Sequence, residues 1–299
     1  MLRLTDIHLR DPYILVAKRE QAYYLYGTTD EQPWAGDGIG FDCYRGSSLT
    51  EWTGPFPVFR PPPGFWGTTQ FWAPEVYLHD GRYVMFATFA GRRNFRGTQI
   101  LVADDPLGPF VPWSQGAVTP KNWQCLDGTL FLDAEGDPWI VFCQEWLQVH
   151  DGAMHAQRLS ADLSRSIAQP HFLFSASAAP WSRPLRPTDR TRGFPAYVTD
   201  GPSIHRTPAG TLLMLWSSHG AGGYAMGIAR SESGAILGPW THERDALTDE
   251  DGGHGMILRT LNDELMLVFH QPNDSPRERP VLHTIVAQDD TFTLAPKPR

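Results

Sequence analysis

The sequence predicts an all-β protein, a five-bladed β-propeller whose four-stranded antiparallel blades surround a central channel. Three observations lead there. A unit of one apolar strand, a tight turn and a second apolar strand returns five times. Its openings stand 64, 52, 73 and 54 residues apart, a blade-sized period. No stretch sustains the 3.6-residue periodicity of an amphipathic helix.

Taken in order, the first unit opens at Asp11-Pro12-Tyr13-Ile14-Leu15 and returns over Ala22–Tyr26. The second opens at Glu75-Val76-Tyr77-Leu78 and returns over Arg82–Thr88. The third runs from Asp127-Gly128-Thr129-Leu130-Phe131 into Pro138–Cys143, the fourth from Asp200-Gly201-Pro202-Ser203-Ile204 into Leu212–Ser217. The fifth starts at His254-Gly255-Met256-Ile257-Leu258 and returns over Glu264–His270. Asp80-Gly81, the segment Asp133–Asp137 and the segment Thr207–Gly210 supply Gly or Asp where a hairpin needs positive φ. A second phrase recurs between units as Gly54-Pro55-Phe56, Gly108-Pro109-Phe110 and Gly238-Pro239-Trp240. It reads as the end of an outer strand or an edge turn, where no ladder donor is needed. The Pro-rich stretch from Ala176 to Tyr197 is the one long irregular segment, and loops of that length usually serve function.

Even spacing of the units across 299 residues favours one domain, residues 1–299. A net charge of -8 with scattered Lys and Arg gives no footprint for nucleic acid, so the expected partner is small and neutral. Eleven Trp supply flat apolar faces that suit sugars as well as cores. Cys43, Cys125 and Cys143 are an odd set without paired spacing, read as buried free thiols in a reducing compartment. The first residues lack the basic and apolar segments of a secretion signal, and no run is long enough to span a membrane. The expectation is a cytoplasmic protein, with oligomeric state undetermined.

A radial arrangement brings the unit openings to one mouth of the channel, so Asp11, Glu75, Asp127, Asp200 and His254 are expected to ring it. Second strands end on the same face, which adds Glu145, Trp216 and His270. Glycoside hydrolysis needs one carboxyl to protonate the leaving oxygen and one to activate water or attack carbon. Crowded acids supply both states, because each raises the pKa of its neighbours. Converging acids also suit Ca²⁺, and His254, flanked by glycines, is the candidate to approach an axial ion or its water shell.

These residues resemble glycoside hydrolase family 43, five-bladed propeller enzymes acting on arabinose- and xylose-containing glycans. The resemblance is carried by Arg10-Asp11-Pro12-Tyr13-Ile14, Trp72-Ala73-Pro74-Glu75, Leu126-Asp127-Gly128, Asp200-Gly201-Pro202 and the segment from Gly252 to Gly255. It implies that Asp11 is the general base, that Asp127 orients and tunes the acid, that configuration inverts, and that His254 sits at the central cation or water. The general acid departs from the pattern: Asp200 stands where the family has Glu, one methylene shorter. Either Asp200 reaches, or Glu145 on the neighbouring blade replaces it. Trp72 is expected to wall the sugar pocket, and Trp34, Phe65 and Trp66 to shape outer subsites. The expected activity is release of terminal pentose from small arabinose- or xylose-containing oligosaccharides, an α-L-arabinofuranosidase before a β-xylosidase. A fructan hydrolase and a non-catalytic carbohydrate-binding propeller are the competing readings.

Overall fold

The computed structural model describes residues 1–92, 94–188, 190–288 and 290–296. Within them the chain forms five four-stranded antiparallel sheets, each built from consecutive strands. Blade one holds β1 (Arg10–Ala17), β2 (Ala22–Thr28), β3 (Phe41–Gly46) and β4 (Thr53–Phe59). Blade two holds β5 (Thr69–His79), β6 (Arg82–Gly91), β7 (Asn94–Ala103) and β8 (Val111–Pro112). Blade three holds β9 (Cys125–Leu132), β10 (Pro138–Gln144), β11 (Ala153–Arg158) and β12 (His171–Ser175), with a short helix α1 (Trp146–Val149) after β10. Blade four holds β13 (Asp200–Arg206), β14 (Leu212–His219), β15 (Tyr224–Ser231) and β16 (Thr241–His242). Blade five holds β17 (Gly253–Arg259), β18 (Leu265–Gln271), β19 (Arg279–Gln288) and β20 (Thr291–Leu294).

The local chemistry accounts for these elements. Asp80 and Gly81 both take positive φ between the paired residues His79 and Arg82, the two-residue hairpin that Asp-Gly favours. Second strands are covered on both faces by neighbouring blades, which is why all seven residues of β2 are buried. The apolar core is accordingly divided into slabs between blades: Tyr24, Phe41, Phe59, Phe71 and Phe89 pack between blades one and two. Among the described residues, blades five and one share no strand. The ring closes there by packing of Ile7, Leu9 and Ile14 against Leu258 and Val268, and by an ion pair of 2.6 Å between Arg10 and Glu278. The three Gly-Pro phrases lead into or open the outermost strands rather than ending them, with Gly54-Pro55 inside β4 and the others just ahead of β8 and β16.

Each inner strand shifts register at the channel mouth, and this corrects the sequence alignment of the units. Two residues lie between the flanking pairs in each strand, and the first of them, the slot residue, is Asp11, Ala73, Asp127, Gly201 or His254, all with φ between 45° and 55°. Asp200 therefore lies one residue earlier than that slot, beside the positions of Arg10 and Trp72 in their strands. Glu75 lies two residues later, at the position of Tyr13 and Thr129. Non-glycine residues held at positive φ cost on the order of 1–3 kcal/mol each, and such strain concentrates at functional sites.

Candidate active site

The bulges turn Asp11, Asp127 and His254 into one cavity of about 460 Å³ at the channel mouth, where Asp200 joins them from the position just ahead of its own slot, with Trp72 and Arg10 in the wall. His254 is the hub. Its Nδ1 lies 3.2 Å from Asp11 Oδ1, 3.6 Å from Asp127 Oδ2 and 3.7 Å from Asp200 Oδ1. Its backbone N–H donates to Ser217 Oγ at 2.8 Å, and its ring packs so closely on Gly201 that a Cβ there would stand 2.6 Å from the ring.

The acids sit in opposed environments. Burial alone would raise the Asp11 pKa, but His254, Arg10 and His270 outweigh it, with a 2.6 Å bond from the Thr28 hydroxyl to Oδ2, and leave it below the usual carboxylate range. Asp200 is pushed the other way, well above that range, by burial and then by the Asp127 charge against it. Its Oδ2 accepts from the Tyr224 hydroxyl at 2.7 Å. Asp127 is raised to about 6 by burial, although its hydrogen bond with Asp200 and a 3.0 Å bond from the Gly201 N–H hold it back. Like charges this close cannot both ionise, so one proton is held between Asp127 and Asp200 near neutral pH. The short Asp200 side chain thus reaches the cluster.

The remaining expected residues separate. Glu145, the N-cap of α1, lines the cavity but is tied to Arg96 by a 2.5 Å ion pair. Burial raises its pKa and Arg96 limits the rise. The Arg96 guanidinium lies 4.4 Å from the Trp72 ring centroid, so Trp72, Arg96 and Glu145 form one continuous wall. Glu75 is buried outside the cavity lining, where it accepts from Tyr77, and burial raises it to about 7. Trp216 is also absent from the lining: it is fully buried against Phe174 and Trp181 between blades three and four, because its side chain faces the neighbouring blade. His270 stands behind Asp11 rather than facing a ligand, fully buried, with Nδ1 accepting the Asp11 N–H at 3.1 Å. Phe65 and Trp66 pack on Phe89 at the edge of the first core slab, whereas Trp34 does line the cavity.

Arg96, Tyr224 and Asn273 also line the cavity and escaped the sequence reading. They come from a third strand, a strand start and a blade-five loop, positions with no repeat signal. The Ala176–Tyr197 stretch does contribute, through Leu185 and Arg190.

Asp127, Asp200 and His254 could together offer one ligand atom each, all within 4.8 Å of one another. Ca²⁺ takes about six to eight oxygens. The two carboxylates supply two such oxygens and His254 a nitrogen, so these three side chains alone do not make a Ca²⁺ cage.

Five blades around an axis and a carboxylate cluster with divided protonation at its mouth define a β-propeller of the glycosidase type. The sequence profile described as Glycosyl hydrolases family 43 matches residues 5–292, and the chain belongs to that family. A solved endo-arabinase from Bacteroides thetaiotaomicron VPI-5482 superposes with a TM-score of 0.90 at 41% identity, covering 98% of this chain and 99% of that one. Two curated relatives match over shorter stretches. The extracellular endo-alpha-(1->5)-L-arabinanase 1 of Bacillus subtilis (strain 168) is 23% identical over 151 residues, and xylosidase/arabinosidase 43A of Humicola insolens is 27% identical over 81 residues. These stretches cover 46% and 27% of this chain, and span 44% and 24% of those proteins' own lengths.

Proposed function

We propose that the chain hydrolyses α-L-arabinofuranosyl bonds within arabinan-type chains, with inversion at the anomeric carbon. The observation that carries this is the meeting of Asp11 and Asp200 around His254 Nδ1, at 3.2 and 3.7 Å in one cavity, in surroundings that lower the Asp11 pKa and raise that of Asp200. Asp200 delivers its proton to the leaving oxygen while Asp11 takes a proton from the water attacking the anomeric carbon. Asp127 keeps Asp200 protonated until the bond breaks, and His254 and His270 hold Asp11 in place. Glu145 serves the wall, since its charge is engaged by Arg96.

Arabinan as substrate is supported by the 41% identity to the solved endo-arabinase over nearly the whole chain. The same likeness favours internal cleavage over the terminal release expected from sequence. Purified protein is to be assayed on linear arabinan, an aryl α-L-arabinofuranoside and an aryl β-D-xyloside, with the first-formed anomer followed by NMR. Mixed oligosaccharides from arabinan with inverted anomers are expected, and Asp11→Asn should abolish them. Arabinose as the sole product returns the terminal-release reading, and turnover of the xyloside alone returns the xylosidase. Binding without turnover of any substrate returns the non-catalytic propeller.

A further inference from the structure

A second cavity of about 680 Å³ adjoins the first, lined by His8, Glu31, Gln32, Trp34, Ala35 and Ser275. Trp34 belongs to both cavities. The same two loops build both: residues 31–35 from blade one, and the blade-five loop that gives Asn273 to the first cavity and Ser275 to the second. The Arg10 guanidinium covers one face of the Trp34 ring, 4.8 Å from its centroid, and Trp72 meets it edge-on at 5.1 Å. Even so, Trp34 is 55% exposed, which leaves its other face open.

The floor beneath this arrangement is tied together by one carboxylate. Glu278 is fully buried and binds Arg10 at 2.6 Å, the Ser275 hydroxyl at 2.5 Å and His8 Nε2 at 3.3 Å. One carboxylate therefore fixes the group that caps Trp34 and two residues lining the second cavity. An open indole face bordered by hydroxyl, imidazole, amide and carboxylate groups suits a sugar ring, whose C–H face is apolar and whose rim is polar.

We infer that this second cavity is a distal glycan subsite, in which further units of the chain held at the acid cluster lie against Trp34 between the 31–35 loop and Ser275. The inference rests on the reading of the protein as a chain-cleaving glycosidase, and it specifies a substrate longer than the catalytic cavity alone can hold.

The test compares arabinohexaose with arabinobiose in two measurements. In the Asp11→Asn background, calorimetric titration should give hexaose affinity about tenfold or more weaker when Ala35→Trp fills the second cavity, with biose affinity changed far less. Gln32→Ala should act in the same direction more weakly and guards against misfolding of the larger substitution; melting temperature is recorded for both. In the otherwise wild-type protein, kcat/KM for hexaose should fall relative to that for an aryl arabinofuranoside by a similar factor. Equal losses on long and short ligands, no loss in either variant, or no hexaose binding by the Asp11→Asn protein overturns the subsite. If the wild-type protein hydrolyses neither substrate, the proposed function fails while the titration still decides the subsite.

Discussion

The Tyr224 hydroxyl donates a 2.7 Å hydrogen bond to Asp200 Oδ2, reaching from the third strand of blade four back to its first. That bond fixes the carboxyl so that its other oxygen faces His254 at 3.7 Å. A carboxyl one methylene shorter than the family pattern is thereby held at the cluster from behind.

The proton donor is identified by leaving groups. Asp200→Asn should slow aryl arabinofuranosides with poor leaving groups by about 10²–10⁴-fold and those with good leaving groups far less, since general acid catalysis contributes about that factor. Glu145→Gln should lower the rate without that dependence, because it releases Arg96 from the Trp72 wall. The opposite pattern makes Glu145 the acid.

The pH profile follows from the two environments. Asp11 must be ionised and is lowered, so the acid limb of kcat/KM should lie below the ordinary carboxylate range; Asp200 must be protonated and is raised, so the alkaline limb should lie well above it. Asp127→Asn removes the charge that raises Asp200 and should bring the alkaline limb down by on the order of one unit. An unmoved limb, measured over the same range, removes Asp127 from the tuning role.

Gly201→Ala tests the slot itself. At φ 45° the new Cβ would stand 2.6 Å from the His254 ring. Overpacking and the left-handed backbone should together cost about 2–4 kcal/mol and displace His254 from the three acids. A lower melting temperature with an activity loss larger than that of Tyr224→Phe is expected; a variant of normal rate would show that the His254 position is not critical.

Buried and half-buried histidines set the response to acid. His242 is pushed down to about 4 by burial, His155 to about 4 by burial and then by His171, and His270 to about 3 by burial and then by Arg10. The unfolded chain takes up these protons near pH 6.5 while the folded chain does not, so their stabilising effect is full above about 6.5 and is lost as pH falls toward 4, for His270 toward 3. The raised acids slope the other way, and a single replacement isolates the histidine part. His242 packs edge-on against Phe174 at 4.6 Å, and neither ring nitrogen has a partner among the described residues. His242→Phe should raise the melting temperature at pH 5 by a few degrees and change it less at pH 8. An equal shift at both values would make the effect one of packing alone.

The repeat was legible because each blade needs the same parts: Asp80-Gly81 turns a hairpin by its own backbone preferences, and apolar runs such as Ala22–Tyr26 must be buried wherever they go. Those demands are local, and they determined the five blades and the approach of Asp11, Asp127, Asp200 and His254 to one mouth. Position within each opening was not legible. The sequence places Asp200 and Glu75 level with Asp11, yet pairing with β14 and β6 sets Asp200 one residue ahead of the bulged slot that Asp11 occupies and Glu75 two residues beyond it. Trp216 ended in the core and His270 behind Asp11 for a related reason: the face a side chain takes depends on the neighbouring blade. Protonation, too, was decided only by the tertiary structure. Asp11 and Asp200 are the same residue type with the same intrinsic acidity, and burial beside His254, Arg10 and His270 in one case, beside Asp127 in the other, drives them apart.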